Sequence, residues 1–203
     1  MSIILVRHGE TPLNVTRMLQ PSHTPLSANG LAQAQRVAQR LAGMQLAGIV
    51  SSDLPRAMST AEAIAAATGL TPSTTALLHE RNFGDLRGQP YDTLGFNPLA
   101  MSDAPPGGES VATFLARVAQ AFQHMVALRA SLGGNLAVVT HGLVIRALLS
   151  HHAQRADDNE LPRIGNTSIS VLDATPPHAV ELLDCTRHLD AATQHDARSL
   201  SGG

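Results

Sequence analysis

Hydrophobic residues arrive along this chain in short bursts, each closed by a polar cluster. Ile3 to Val6 is an unbroken apolar run, too short for a helix and of the kind a strand buried on both faces shows. It runs into Arg7-His8-Gly9-Glu10-Thr11, with Asn14 close behind. Thr11 to Pro25, bearing Pro and Ser, reads as a loop. From Ser27, a suitable N-cap, Leu31, Ala34, Val37/Ala38 and Leu41 repeat at helical spacing until Gly43 ends the run. Ile49-Val50 is the next strand-like burst, closed by Ser51-Ser52-Asp53. Pro55 then suits the first turn of a helix reaching about Thr68, before Gly69.

Leu70 to Leu78 holds a short strand candidate, and Glu80 to Gly108 is irregular, with four Pro and five Gly. So long a stretch without regular structure reads as a functional lid or binding loop, over about residues 81–108. Pro105-Pro106-Gly107-Gly108-Glu109-Ser110 punctuates, and Glu109 or Ser110 opens the clearest helix. Val111, Phe114, Val118, Phe122, Met125 and Leu132 form its apolar side, with Arg117, Gln120 and His124 on the other. Leu136 to Val139 is a further buried strand that ends in Thr140-His141-Gly142, and Leu143 to Leu149 reads as a helix against the sheet. Asn166 to Asp173 and Ala179 to Leu183 read as the last strands, and about 190–203 as a polar, frayed tail. Strands alternating with helices predict a three-layer α/β/α sandwich around a mainly parallel central sheet, built by one domain over residues 1–203.

Composition narrows the chemistry. The chain is 43% hydrophobic but only 2% aromatic, so its core is expected from Ala, Leu, Val and Ile. Net charge is −2 and all 14 basic residues are Arg, scattered along the chain, which excludes the broad basic field of a nucleic-acid binder. Any anion site has to be local. Cys185 is alone, which excludes an intramolecular disulfide, and it reads as a small residue near a strand end. His151-His152 lacks the Cys, Asp or Glu spacing of a metal site and reads as a helix end. No stretch reaches the ~18 apolar residues of a membrane span, and the N-terminus shows no leader pattern. These features lead us to expect a cytoplasmic protein without a membrane partner.

Open α/β sheets keep their chemistry at the carboxyl ends of their strands. Three such ends carry Arg7-His8, Ser51-Ser52-Asp53 leading to Arg56, and Thr140-His141-Gly142. Two Arg, two His and a helix N-terminus just before Arg56 make a pocket for a compact anion, phosphate above all.

The segments Leu5-Val6-Arg7-His8-Gly9-Glu10-Thr11 to Asn14, Thr24-Pro25-Leu26-Ser27 to Gly30 and Ser51-Ser52-Asp53-Leu54-Pro55-Arg56-Ala57 to Thr60-Ala61 are followed by Glu80 to Phe83-Gly84, Pro106-Gly107-Gly108-Glu109-Ser110 and Val139-Thr140-His141-Gly142. In this order they resemble the histidine phosphatase (phosphoglycerate-mutase-like) superfamily, from the first strand to Asn166-Thr167-Ser168. The resemblance implies that His8 is phosphorylated during turnover, and that Glu80 supplies the proton to the leaving alkoxide. Arg7, Arg56 and His141 would hold the charge on the three equatorial oxygens of phosphorus, and Asn14 would add an uncharged donor. Gly9, Thr11, Gly142 and Leu143 would line the same pocket, with no metal or organic cofactor.

Departures from the family pattern lie around the pocket. Pro21 follows Gln20 where Gly is frequent, His23 stands where Asp is common, and Leu86-Arg87 replaces a Trp-Glu pair. Arg17, Gln20 and His23 on the first loop, and Arg81, Phe83, Arg87 and Tyr91 on the second segment, are the candidates for reading the substrate. The expected activity is hydrolysis of a small phosphate monoester, with a homodimer possible. A phosphoglycerate mutase is the nearest rival, but mutases of this family carry a longer insert after the acid Glu, with more basic residues. A catalytically idle phosphate-binding domain is the rival from another class.

Overall fold

The apolar bursts become strands: β1 (Ser2–Arg7), β2 (Leu46–Ser51), β3 (Pro72–Thr74), β4 (Asn135–Thr140), β5 (Ile169–Asp173) and β6 (Val180–Cys185). In the computed structural model, which describes residues 1–157, 159–191 and 193, they form one sheet in the order β3-β2-β4-β1-β5-β6. β1 to β4 run parallel, β5 runs against β1, and β6 against β5. The helices are α1 (Pro12–Val15), α2 (Ala28–Ala42), α3 (Pro55–Thr68), α4 (Val111–Ala130) and α5 (Gly142–His151).

Alternation along β1 sets the layers. Ile3 and Leu5 pack with Phe114, Val118 and Met125 of α4 and Leu148 of α5, whereas Ile4 and Val6 pack with Val37 and Leu41 of α2 and Ala61 and Ile64 of α3. The sheet is therefore covered on both faces, the three-layer arrangement the sequence predicts. Each fully buried aliphatic side chain contributes about 1.5–3 kcal/mol, so a polar replacement in β1 would hurt both core layers. No helix among the described residues is long and apolar enough to cross a membrane.

Several local expectations are corrected. The loop from Thr11 contains α1, one turn capped by Thr11 and Asn14, which exchange side-chain and backbone bonds; four residues are too few to show a period. Leu31 is 53% exposed, because α2 turns Gly30, Ala34, Val37 and Leu41 inward instead. A Cβ on Gly30 would lie 2.0 Å from the Glu10 carbonyl oxygen, and this crossing fixes the rotation of the helix. Asn166 to Ser168 is a turn before β5, not part of it. Arg117 does not face outward; its guanidinium reaches the carbonyls of Leu77 and His79. Residues 81–108 contain three 3₁₀ turns and no longer element. Thr193 is buried and its carbonyl accepts from Gln33 Nε2 at 2.9 Å, so packing continues beyond Asp190 at this residue; residue 192 and 194–203 of the expected tail lie outside the described residues.

Candidate active site

Because β4 lies between β1 and β2, the polar closures of all three strands meet at one edge. The His8 N–H donates to the Thr140 carbonyl at 2.9 Å and the Ser52 N–H to the Val139 carbonyl at 3.0 Å, so the pleat itself sets His8, Ser52 and His141 side by side. α3 starts here at Pro55, with Arg56 in its first turn, and α5 starts here at Gly142; neither N-cap residue closes its helix with a side chain. Both helix N-termini therefore leave backbone donors and a partial positive charge at the strand ends, favourable to an anion.

His8 Nδ1 lies 2.7 Å from the Gly9 carbonyl oxygen. A carbonyl only accepts, so Nδ1 carries the hydrogen and Nε2 keeps its lone pair. Burial, then Arg56 and Arg7, hold the His8 pKa well below the ordinary histidine range, and the ring stays neutral. His141 is buried in the same way, with its Nε2 2.9 Å from Ser52 Oγ and its pKa also held well down by burial first and Arg56 second. Arg7 donates from Nη1 to the Ile164 carbonyl at 2.7 Å. Burial lowers Arg7 to about 9 against the pull of Glu80, and lowers Arg56 to about 10, again opposed by Glu80. Both remain cations near neutral pH. The arrangement is a buried, electropositive cradle with a neutral imidazole in it.

Glu80 closes one side. Its Oε1 accepts the Arg81 N–H at 3.0 Å and its Oε2 the Leu143 N–H at 3.1 Å, which gives Leu143 a task on the carboxyl rather than on an anion. Burial pushes the Glu80 pKa up, although both N–H bonds, Arg56 and Arg7 pull it down. A carboxyl with a raised pKa is suited to giving up a proton. A cavity of about 430 Å³ opens beside it, lined by Ser22, His79, Asn82, Arg87 and Arg117 among others.

Other expected residues fall in different places. Asn14 is buried, and its Oδ1 accepts from Thr11 N, Thr11 Oγ1 and Asn166 Nδ2, which orients the amide. Gln20 is buried against Thr11 Oγ1. Gly9 donates its N–H to Thr60 Oγ1, and a Cβ there would sit 2.5 Å from the Gly30 carbonyl oxygen, so its smallness serves α2. Gly142 is the first residue of α5. Arg81 turns its Nη2 to the Met101 carbonyl at 2.7 Å and lies over the Phe83 ring. His23 is exposed. Ser52, Thr60, Asn166 and Thr167 fall within the motif segments, but the sequence assigns them no role of their own, since small polar residues next to a motif look like turn chemistry. Thr167, at a φ of 52°, donates its N–H to the Arg7 and His8 carbonyls, and Asn166 Nδ2 donates to the His8 carbonyl. No group of three or more His, Cys, Asp or Glu placed to hold a metal occurs among the described residues.

The family model of the histidine phosphatase superfamily (branch 1) matches residues 3–183. The chain is similar to "Phosphoglycerate mutase-like protein 4" of Arabidopsis thaliana, 38% identical over 183 residues that cover 83% of this chain and 77% of that one. Among solved structures it is similar to Bacillus stearothermophilus YhfR, with a TM-score of 0.79 and 27% identity over 93% of this chain and 99% of that one. It is also similar to a mycobacterial glucosyl-3-phosphoglycerate phosphatase, with a TM-score of 0.74 and 28% identity over 91% and 99%.

Proposed function

For a chain that belongs to the histidine phosphatase superfamily (branch 1), we propose hydrolysis of a small phosphate monoester through a phosphohistidine on His8. The observation that supports this reading is the tautomer of His8: its Nδ1 bond to the Gly9 carbonyl aims an unprotonated Nε2 into a cradle bearing Arg7, Arg56 and His141. In the first half-reaction Nε2 attacks phosphorus as the bond to the leaving oxygen breaks. Arg7, Arg56, His141 and Asn14 hold the three equatorial oxygens, and Glu80 passes its proton to the leaving oxygen. In the second, the Glu80 carboxylate takes a proton from water while its oxygen attacks phosphorus and the P–N bond breaks, which restores His8 and the Glu80 carboxyl and releases phosphate.

Metal is not needed in this reading, because Arg7 and Arg56 supply the positive charge that Mg²⁺ provides in other phosphoryl-transfer enzymes, and His141 adds a neutral donor. The substrate is a soluble ester, handled in the cytoplasm. The name of the Arabidopsis relative favours a second reading, transfer of the phosphoryl group to another hydroxyl of the substrate rather than to water. The short 81–108 segment and the absence of Lys favour hydrolysis.

The test is a rapid acid-free quench after mixing with labelled ester. Wild type is expected to carry label that acid removes and base does not, to release inorganic phosphate, and to keep its rate in chelator. His8→Ala should carry none. Substantial turnover by His8→Ala, or a chelator-killed rate restored by divalent metal, would end this reading.

A further inference from the structure

The Pro106-Gly107-Gly108-Glu109-Ser110 motif is built against the residues on either side of Glu80. Gly84 and Gly108 permit the approach: a Cβ on Gly84, whose φ is 51°, would lie 2.0 Å from the Pro106 carbonyl oxygen, and one on Gly108 2.6 Å from that of Asn82. The Asp85 N–H donates to the Pro106 carbonyl at 2.9 Å. Asn82 and Glu109 then bond reciprocally, Asn82 N–H to Glu109 Oε1 at 2.8 Å and Glu109 N–H to the Asn82 carbonyl at 2.9 Å. Ser110 caps α4, so Glu109 stands just before the helix and Arg117 lies two turns along it.

Arg117 completes the bracket. Its Nη2 donates to Glu109 Oε1 at 2.5 Å and reaches the Glu80 carbonyl at 3.4 Å, while Nη1 donates to the Leu77 and His79 carbonyls at 2.9 and 2.7 Å. The two side chains are only 19% and 13% exposed, and charge-assisted bonds so shielded are stronger than the solvent-exposed pairs that contribute little. One guanidinium thus gathers three carbonyls from 77 to 80, and one carboxylate holds residue 82. The phosphate cradle is mounted on strand ends instead.

We propose that Glu109 and Arg117 are positioning residues for proton transfer: they fix the backbone on both sides of Glu80 so that its carboxyl meets the leaving oxygen, and they take no part in holding the phosphoryl group. This rests on Glu80 being the acid. As the bond from phosphorus to the leaving oxygen breaks, the Glu80 O–H transfers its proton to that oxygen, giving an alcohol and a carboxylate. A misplaced carboxyl forces an alkoxide to leave unprotonated, whereas a nitrophenolate leaves without help.

The test compares kcat/KM for glycerol phosphate and p-nitrophenyl phosphate, since kcat/KM covers the steps through alcohol release. In Arg117→Met and Glu109→Gln the alkyl ester should lose about tenfold to a hundredfold, as an acid displaced by about 1 Å would, and the nitrophenyl ester less than about threefold. The double variant Glu80→Gln/Arg117→Met should lose no more on the alkyl ester than Glu80→Gln alone. Equal losses on both esters, no loss on either, or additive losses in the double variant would overturn the proposal. If Arg117→Met fails to fold, Glu109→Gln, which keeps the shape of the side chain, decides by the same criteria. If Glu80→Gln itself hits both esters equally, the assignment of Glu80 falls and the proposal with it; if Glu80→Gln discriminates and the two variants do not, the proposal alone falls.

Discussion

The His8 and His141 rings stand edge to face, with centroids 5.1 Å apart and planes at 61°, and they are tethered in opposite senses. His8 is held through Nδ1 by a backbone carbonyl, and His141 through Nε2 by the Ser52 hydroxyl. The first tether cannot be removed by mutation, and the second can. Each ring is thus held through one nitrogen, which leaves His8 Nε2 and His141 Nδ1 outside these two tethers. His141 Nδ1 is buried and has no hydrogen-bond partner among the described residues, so a phosphoryl oxygen would be its first.

Ser52→Ala should therefore loosen His141 and leave His8 untouched. With loss of one buried hydrogen bond of about 1 kcal/mol, kcat/KM should fall about fivefold, and phosphohistidine should still form. Pre-steady-state trapping of the labelled enzyme checks this. Loss of labelling altogether would show that Ser52 acts on the nucleophile itself.

Arg87 should set the preference among substrates. It lines the cavity beside Glu80, lies near enough to Arg56 to lower its pKa, and its guanidinium makes no hydrogen bond or ion pair among the described residues. Asp92 is taken by Arg17 at 2.8 Å, and Glu109, which attracts Arg87 through space, is bonded to Arg117. A half-buried guanidinium in that position favours an ester whose alcohol carries a carboxylate or a second phosphate. In Arg87→Glu the ratio of kcat/KM for a carboxylate-bearing ester to that for a neutral-bodied one should drop about tenfold, the equivalent of about 1.4 kcal/mol. A constant ratio would mean that Arg87 does not contact the substrate.

Acid should destabilise the fold. His8 and His141 stay neutral in the native state well below the pH at which they protonate once unfolded, and His188, bonded to Thr167 Oγ1, is held down to about 4 by burial and Arg40. Below about pH 6.5 the unfolded chain binds the extra protons, so stability present at pH 7 is lost as pH falls, at about 1.4 kcal/mol per pH unit for each buried histidine. Glu80, whose pKa is raised, titrates with the opposite sign and softens the fall at its lower end. Thermal unfolding at pH 7, 6 and 5 should show a decreasing Tm, with a shallower slope in His188→Gln. Inorganic phosphate at pH 7 should raise Tm, because only the folded cradle binds it. A Tm that does not move between pH 7 and 5 would contradict the neutral buried histidines.

Much of this was legible in the residues themselves. Strands with both faces buried write continuous apolar runs, so β1 and β4 and the polar clusters that follow them stand out along the chain. Caps are equally local: Ser27, Pro55, Gly69 and Ser110 bound helices where the sequence places them, because capping depends on residues two or three positions apart. Once strands alternate with helices, parallel pairing brings Arg7, His8, Arg56 and His141 to one edge, and the expected cradle follows from connectivity.

What the tertiary structure alone decided depends on contacts between residues far apart in sequence, for which no local pattern exists. The rotation of α2 is set by the crossing of Gly30 and Glu10, so Leu31 faces out although its spacing puts it on the apolar stripe. Arg117 sits on the polar side of its own helix, and only the approach of 77–82 turns it into a clasp across some forty positions of chain. Asn166 and Thr167 read as the start of a strand, and become the support of His8 because β5 runs antiparallel beside β1 and delivers its entry turn to that strand's exit. The sequence determines which chemical groups are present and which strand ends carry them. Their orientation and protonation come from burial and from partners that only the folded chain brings within reach.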